Sequence, residues 1–508
     1  MWKITGIAVY LLILLGIGFL AARRMRDVKD YFAGGKRLGF WAVAFSSRAT
    51  GESAWLLLGL TGMGAAVGVR GFFVVLGEVL GVAGAWLLMS RRFHRLTMRY
   101  DCITIPDYLE ARFRDHGHLL RRVAAGSLVV FVTIYVSAQV DATGKAFESF
   151  LGINYFAGAL IGFAVVLCYS VAGGFLAAVW SDVFQGTLMF FGLVALPLVG
   201  IAALGGVGEL SVRLGVIDPA LMMWSGTSGG WTPEVVCGTI GLCFIGIGFL
   251  GSPQIFVRFL AMRSENEIRK GAAVAILWTL CADSGAVLIG MIGRALLTER
   301  GVALDTVLGA NGEAVLPELV DHLLPAVLVG IYMAIVLAAI MSTVDSLLIV
   351  AGSAAARDYY QKVRHPQMTD RELLSTSRKI TLFLAMLALS LAMFVAIRSE
   401  DRTIFWFVIF GWSGIAATFC PTMILSLFWR GMTARGALAA MLSGFLAVPL
   451  FKFAAPQLPV VGDAFAQLAE LPPAFVLSGL AGVVVSLADK TGRARLEGID
   501  RDLDAAAG

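Results

Sequence analysis

Apolar runs long enough to cross roughly 30 Å of hydrocarbon recur from one end of this 508-residue chain to the other. Hydrocarbon offers the backbone no hydrogen-bond partner, so such runs must be helices. The chain therefore reads as an all-α polytopic membrane protein, a single transmembrane domain over residues 1–489 with a tail at 490–508. Composition agrees: 15% of residues are charged, against about 25% in soluble domains. The net charge of +5 sits in short inter-helix loops, which does not suggest nucleic acid as a partner. The six cysteines lie mostly within apolar runs and show neither a pairing pattern nor metal spacing. The five histidines fall in expected loops or helix ends, so no transition-metal site is expected.

Apolar length defines about thirteen spans, near 3–22, 40–66, 71–90, 122–149, 154–172, 176–204, 234–261, 271–296, 325–354, 379–397, 404–428, 435–453 and 473–488. The first resembles a signal sequence, but it is long enough to span and runs into a basic stop, Arg23-Arg24-Met25-Arg26, so it is kept as a helix. Basic loops (23–37, 91–122, 263–270, 357–379, 430–435 and the tail from Lys490) alternate with loops poor in Lys and Arg. The positive-inside rule then puts the N-terminus outside and the C-terminus in the cytoplasm, in the cell's inner membrane. The 91–121 loop reads as a short amphipathic cytoplasmic helix or as a solvated linker. The loops at 206–233 and 297–324 should hold short external helices, and the charged tail reads as disordered.

One apolar run contains an anomaly. Ser46 to Gly62 carries Arg48, Thr50, Gly51, Glu52 and Ser53 in its middle. Either the helix breaks at 49–52, with freed carbonyls facing a protein-lined cavity, or a loop precedes an ordinary helix starting at Ala54. Five spans later a second interruption appears, Gly246 to Gln254, with three glycines and Pro253. Broken helices at corresponding places of two five-helix halves, about 40–204 and 234–428, mark an inverted-repeat transporter and favour the break.

The ninth span places Ser342, Asp345 and Ser346 on one helical face, with Ala339 a turn earlier and Thr343 at its border. Such oxygens, joined by carbonyls from a broken helix, suit a small hard cation. The hydroxyls alone could instead bond back along their own helix, but Asp345 needs a partner. Asp182 reads either as a carboxylate satisfying helix amides or as an ion ligand. Asp141 and Lys145, like Arg48 and Glu52, stand four apart and can pair. Glu78 and Asp283 have no local partner and are functional candidates by default. Trp406, Phe410 and Trp412 form an aromatic run that fits packing or a gate. No nucleophile–base set or phosphate-binding loop occurs, so no enzyme activity is expected.

Several ordered motifs carry a resemblance: Tyr31 with Gly34-Gly35, Trp55-Leu56-Leu57 with Gly59-Leu60, Leu109, Gly173 to Ala177 with Trp180-Ser181-Asp182, Pro253 with Arg258-Phe259, Leu337 to Thr343, and Trp412. In these the chain resembles the sodium/solute symporter family, and within it the sodium/proline branch. The resemblance implies a LeuT-type 5+5 inverted repeat with one helix before and two after, and Na+ as coupling ion with no other cofactor. It implies sodium held by carbonyls of Ala49, Glu52 and Ala339 and hydroxyls of Ser342 and Thr343. Asp182, Ser342, Asp345 and Ser346 match a second sodium site of some relatives.

The chain also departs from that branch. Gly51 stands where the branch has an aspartate essential for coupling, and the acid is Glu52 instead. Asp345 replaces a serine, and Ile245 and Phe249 replace a tryptophan and a tyrosine, so the solute pocket differs. The reading is a sodium-coupled importer of a small organic solute, an amino acid such as proline, working by alternating access. Thr50, Ser53, Glu78, Gln139, Phe249, Ser252 and Trp412 are the expected solute contacts. Proton coupling through Glu52, Asp283 or Asp345, and a transporter-like sensor acting with a separate partner, are the alternatives. No obligate protein partner is expected.

Overall fold

The computed structural model describes residues 2–24, 28–399 and 403–507. Met25 and Arg26 of the basic stop lie outside the described residues. Regular structure among the described residues is helical, with one isolated bridge pairing Leu38 and Met262. The long helices are α1 (Trp2–Arg24), α2 (Phe40–Ala54), α3 (Phe72–Ala83), α4 (Leu119–Leu151), α5 (Tyr155–Leu204), α6 (Pro233–Phe244), α7 (Pro253–Leu260) and α8 (Ile268–Leu297). They continue with α9 (Ala326–Ser353), α10 (Asp370–Arg398), α11 (Ile404–Phe428), α12 (Ala434–Pro449) and α13 (Leu471–Ala488). Two short helices close the chain, α14 (Lys490–Arg495) and α15 (Ile499–Ala507).

Eleven stretches among the described residues are long and apolar enough to cross a membrane, fewer than the apolar runs imply. The two spans expected at 40–66 and 71–90 fall within one long stretch, Phe40–Arg99, in which the chain turns at Gly68 (φ 58°, ψ −131°) through the short Gly68–Gly71 turn. Tyr155–Ser170 is a shorter apolar stretch of α5, which kinks at Gly174, whose φ of 56° suits glycine. The stretches expected as halves, about 40–204 and 234–428, each have an interrupted helix near their start, and α9 packs across α2, α4 and α5 at the centre.

Both interruptions are present. The first lies at Ser53 (φ 23°, ψ −166°), just after the expected 49–52, and Trp55–Leu60 follows as a wider turn. At the second, Ile245–Leu250 tightens into 3-10 turns before Ser252 and Pro253 start α7. Glycines let α3 approach that second break closely. A Cβ on Gly246 would stand 2.0 Å from the Gly77 carbonyl oxygen, and one on Gly81 1.9 Å from that of Gly246. The approach sets Glu78 beside the break.

The basic loops gather at one end. The 91–121 segment forms two helices, Ser90–Arg99 and Ile105–Phe113, the second capped by Thr104. His94, expected at a loop or helix end, is buried inside the first, with Nδ1 3.1 Å from the Phe259 carbonyl. Short helices form in both long loops as expected, including Val207–Ile217 and Val315–Leu323. The tail differs from its expected disorder: α15 buries Ile499, Leu503 and Ala506, while Asp502 meets Arg99 at 2.6 Å and the Tyr100 hydroxyl at 2.9 Å. Those apolar residues stand at i, i+4 and i+7, a stripe that the surrounding charge hides.

At this end Arg121 bonds Asp107 (2.9 Å), Glu110 (2.7 Å) and Asp358 (2.5 Å), and Arg357 reaches Asp107 at 2.7 Å. Burial alone would raise the Asp107 carboxyl, but the guanidinium groups of Arg357 and Arg121 outweigh it and hold its pKa down at about 2. A depressed pKa stabilises the fold at every pH above the ordinary carboxylate value, and that stability is lost as pH falls toward 2. Asp107→Asn is expected to cost about 2 kcal/mol at neutral pH. It should also flatten the stability-versus-pH curve between about pH 4 and 2. Thermal unfolding of the detergent-solubilised protein across that range measures both effects, and a variant as stable as the parent at neutral pH would contradict the network.

Candidate functional site

An α-helix interrupted at Ser53 deprives the carbonyls three and four residues back of their continuing amides. Those carbonyls belong to Ala49 and Thr50, and α9 supplies their partners. Ser342 Oγ donates to the Ala49 carbonyl (2.9 Å) and to that of Ala339 (3.1 Å). Thr343 Oγ1 donates to the Thr50 carbonyl (3.0 Å) and likewise to Ala339 (3.1 Å). Five oxygens from two helices thus meet in a buried spot. The set differs from the expected one in a single member: the Thr50 carbonyl takes part, while the Glu52 carbonyl accepts from the Trp55 amide that opens the next segment. Other groups freed by the break find partners too. Ala54 N–H donates to Gln139 Oε1 (3.1 Å), and the Trp55 indole donates to the Gly51 carbonyl (3.1 Å).

One turn away, Asp182, Ser346 and Asp345 come together as their candidacy for a second ion site required, but around an arginine. The fully buried Arg258 reaches Asp182 Oδ2 at 3.0 Å, Ser346 Oγ at 2.5 Å, Thr50 Oγ1 at 2.6 Å and Ser46 Oγ at 2.9 Å. It also bonds the Gln254 carbonyl of its own helix. Asp345 stands at the edge, accepting from Ser346 (3.0 Å) and Ser181 (3.4 Å). The guanidinium therefore occupies the position between the Asp182 carboxylate and the Ser346 hydroxyl.

Of the expected solute contacts, Thr50 turns its hydroxyl to this arginine, and Ser252 turns its own to the Gly248 carbonyl (2.6 Å). The others converge. The Phe249 and Trp412 rings lie 5.1 Å apart, Tyr135 stands edge-on to Trp412 and bonds Ser53 Oγ (3.3 Å), and Gln139 holds the break. Gly51 is small for a reason: a Cβ there would come within 2.6 Å of Phe249 Cε1, so the ring fills the space that a side chain at 51 needs. Arg48 pairs with Glu52 on its own helix and reaches Glu78 at 3.8 Å, and the carboxylates of Glu52, Glu78 and Asp283 lie within 4.8 Å of one another. Spacing alone indicated the Arg48–Glu52 pair. It did not indicate that Glu78 and Asp283 join it, nor that Arg258 meets Asp182. Away from the site, Asp141 takes the Tyr155 hydroxyl at 2.6 Å and faces Lys145 at 3.8 Å, the expected pairing.

Comparison with known proteins follows the geometry. Residues 31–444 match the profile of the sodium:solute symporter family. The chain is 36% identical over 433 residues to a high-affinity proline transporter of Bacillus subtilis, covering 85% of this chain and 88% of that one. It is 32% identical over 491 residues to the sodium/proline symporter of Escherichia coli, covering 96% and 93%. Among solved structures, a Na+-coupled sialic acid symporter in a substrate-bound outward-open state superposes with a TM-score of 0.74 at 18% identity, covering 96% of this chain and 98% of that one.

Proposed function

The chain belongs to the sodium:solute symporter family, with the LeuT-type 5+5 fold and sodium-coupled solute transport, and from that premise we propose that it imports an amino acid, with proline, named for its relatives, the first to test. The observation that carries the reading is the meeting of Ser342 and Thr343 with the carbonyls freed at Ser53. Sodium binds there among the oxygens of Ala49, Thr50, Ala339, Ser342 and Thr343. It ties the broken α2 to α9 and so favours the outward-open state. The solute then binds beside both breaks, against Ser53, Gln139, Phe249 and Trp412. Closure outside and opening inside release both. A potential of 100 mV adds about 2.3 kcal/mol for each charge moved inward. Arg258 serves as a resident cation beside Asp182, which supports one sodium site rather than two. Residues 1–489 work as one domain in the inner membrane, with no protein partner required. The basic loops and the tail collect at one end of the molecule, which supports an outside N-terminus and a cytoplasmic C-terminus.

Proteoliposomes with an inward sodium gradient, and a potassium gradient as control, test the reading. Sodium-dependent accumulation of labelled amino acid, with proline tried first, is expected. Uptake that ignores sodium and follows a pH gradient would overturn it in favour of proton coupling.

A further inference from the structure

The cage of Arg48, Glu52, Glu78 and Asp283 holds more carboxyl groups than cationic partners. Three carboxylates face one guanidinium, and the four side chains are at most 1% exposed. Glu52 Oε1 is taken by Arg48, but its Oε2, both oxygens of Asp283 and Oε2 of Glu78 make no hydrogen bond. Nor do Nε and Nη1 of Arg48, whose Nη2 meets the facing carboxylates of Glu52 and Glu78. Buried carboxyl groups that lack hydrogen-bond partners are costly, and inside a membrane domain ionisable groups of this kind are candidates for binding a charged ligand.

The walls indicate what that is. The Arg48 guanidinium lies 4.6 Å from the Phe249 ring centroid and 5.6 Å from that of Trp278, and the Trp412 ring meets Phe249 at a tilt. Aromatic faces attract weakly hydrated organic cations, and planar guanidinium groups above all. A metal ion would need more neutral oxygens than these rings provide. Arg48 itself shows that a guanidinium fits between the rings and the acids. The cage also sits in the right place for solute: Glu52 borders the first break, Phe249 belongs to the second, and Glu78 is held beside the second by the glycine contact of α3.

We propose that this cage binds the positively charged group of the transported solute, so that the preferred substrate is a small organic cation carrying more ammonium or guanidinium groups than carboxylates, such as a basic amino acid. The proposal rests on the reading of the chain as a sodium-coupled symporter of amino acids, and narrows it. Asp283 and Glu78 receive the cation, while Arg48 and Glu52 keep each other company until the solute's own charges enter.

The test uses the full chain in proteoliposomes, with labelled arginine as probe and unlabelled lysine, 1,4-diaminobutane, proline and magnesium chloride as competitors. Arginine uptake under a sodium gradient is expected, with a KM at least tenfold below that for proline. Asp283→Asn, a shape-conserving change, should raise the arginine KM at least tenfold and raise the proline value by a clearly smaller factor. Glu78→Gln gives an independent second reading of the same effect. Competition by diaminobutane as strong as by lysine would show that the acids alone read the solute, in support of the cage. Sodium-driven proline uptake untouched by a hundredfold excess of arginine, lysine and diaminobutane would overturn the proposal and leave the symporter reading intact. Displacement by magnesium alone would overturn it in favour of a metal site. Arginine uptake that persists unchanged without sodium would instead remove the coupling and leave the cage standing.

Discussion

Replacing Thr343 with alanine is expected to raise the sodium concentration for half-maximal uptake by about ten- to a hundredfold. The hydroxyl has two tasks at one point: it reaches the Thr50 carbonyl at 3.0 Å and the Ala339 carbonyl at 3.1 Å. Both carbonyls are buried, and the first exists as a free acceptor only because the helix is interrupted at Ser53. Removing the hydroxyl deletes one ligand of the ion and leaves the Thr50 carbonyl without its donor. A hydrogen bond to a charged or desolvated group contributes about 1.5–3 kcal/mol, which converts to the stated range. Thr343→Ser keeps the oxygen and should stay within about threefold of the parent. Sodium titration of uptake in both variants separates ligand loss from a packing defect, because the methyl is absent in both and the hydroxyl in only one. Equal sodium activation of Thr343→Ala and the parent would remove Thr343 from the ion site.

The same site shows which parts of the molecule its sequence reveals. The spans and both interruptions are legible because hydrocarbon penalises polar backbone so heavily that Arg48 to Ser53, or three glycines with a proline, stand out against their surroundings. The shared face of Ser342, Asp345 and Ser346 is legible because helical periodicity is fixed. Sequence spacing carries only such local information. It shows that Asp182, Glu78 and Asp283 each need a partner, but their partners lie on other helices, and Arg258 is 76 positions from Asp182. The residue at which a break falls is also hidden. A shift from 49–52 to Ser53 changes which carbonyls lose their amides, and thereby exchanges Glu52 for Thr50 among the oxygens proposed for the ion. Glu52 is then free to point its carboxylate toward Arg48. The tail escaped for the opposite reason: its apolar stripe is only three residues wide and needs the Ser90–Arg99 helix beneath it to count as a core.

Arg258→Ala should destabilise the folded protein by about 3–5 kcal/mol, the range for breaking a buried ion pair by removing one partner. Arg258 and Asp182 are both fully buried, and the arginine donates to Asp182, Ser46, Thr50 and Ser346 at once. Without it the Asp182 carboxylate keeps Ser46 at 2.6 Å and a long contact to Thr50 at 3.4 Å, too little to hold a charge away from water. The deficit belongs to the abandoned carboxylate more than to lost attraction, so a second change should return part of it. Arg258→Ala combined with Asp182→Asn is expected to be more stable than Arg258→Ala alone, by at least 1 kcal/mol, within the range of coupling energies seen for contacting residues. Melting temperatures of the four purified proteins complete the cycle. Sodium reads the same geometry from another side: if the arginine is the resident cation between Asp182 and Ser346, sodium should rescue the stability of Arg258→Ala far more than it raises that of the parent. A single variant as stable as the parent, or a double variant no better than the single, would show that Arg258 and Asp182 are not coupled and would return that position to the list of sodium sites.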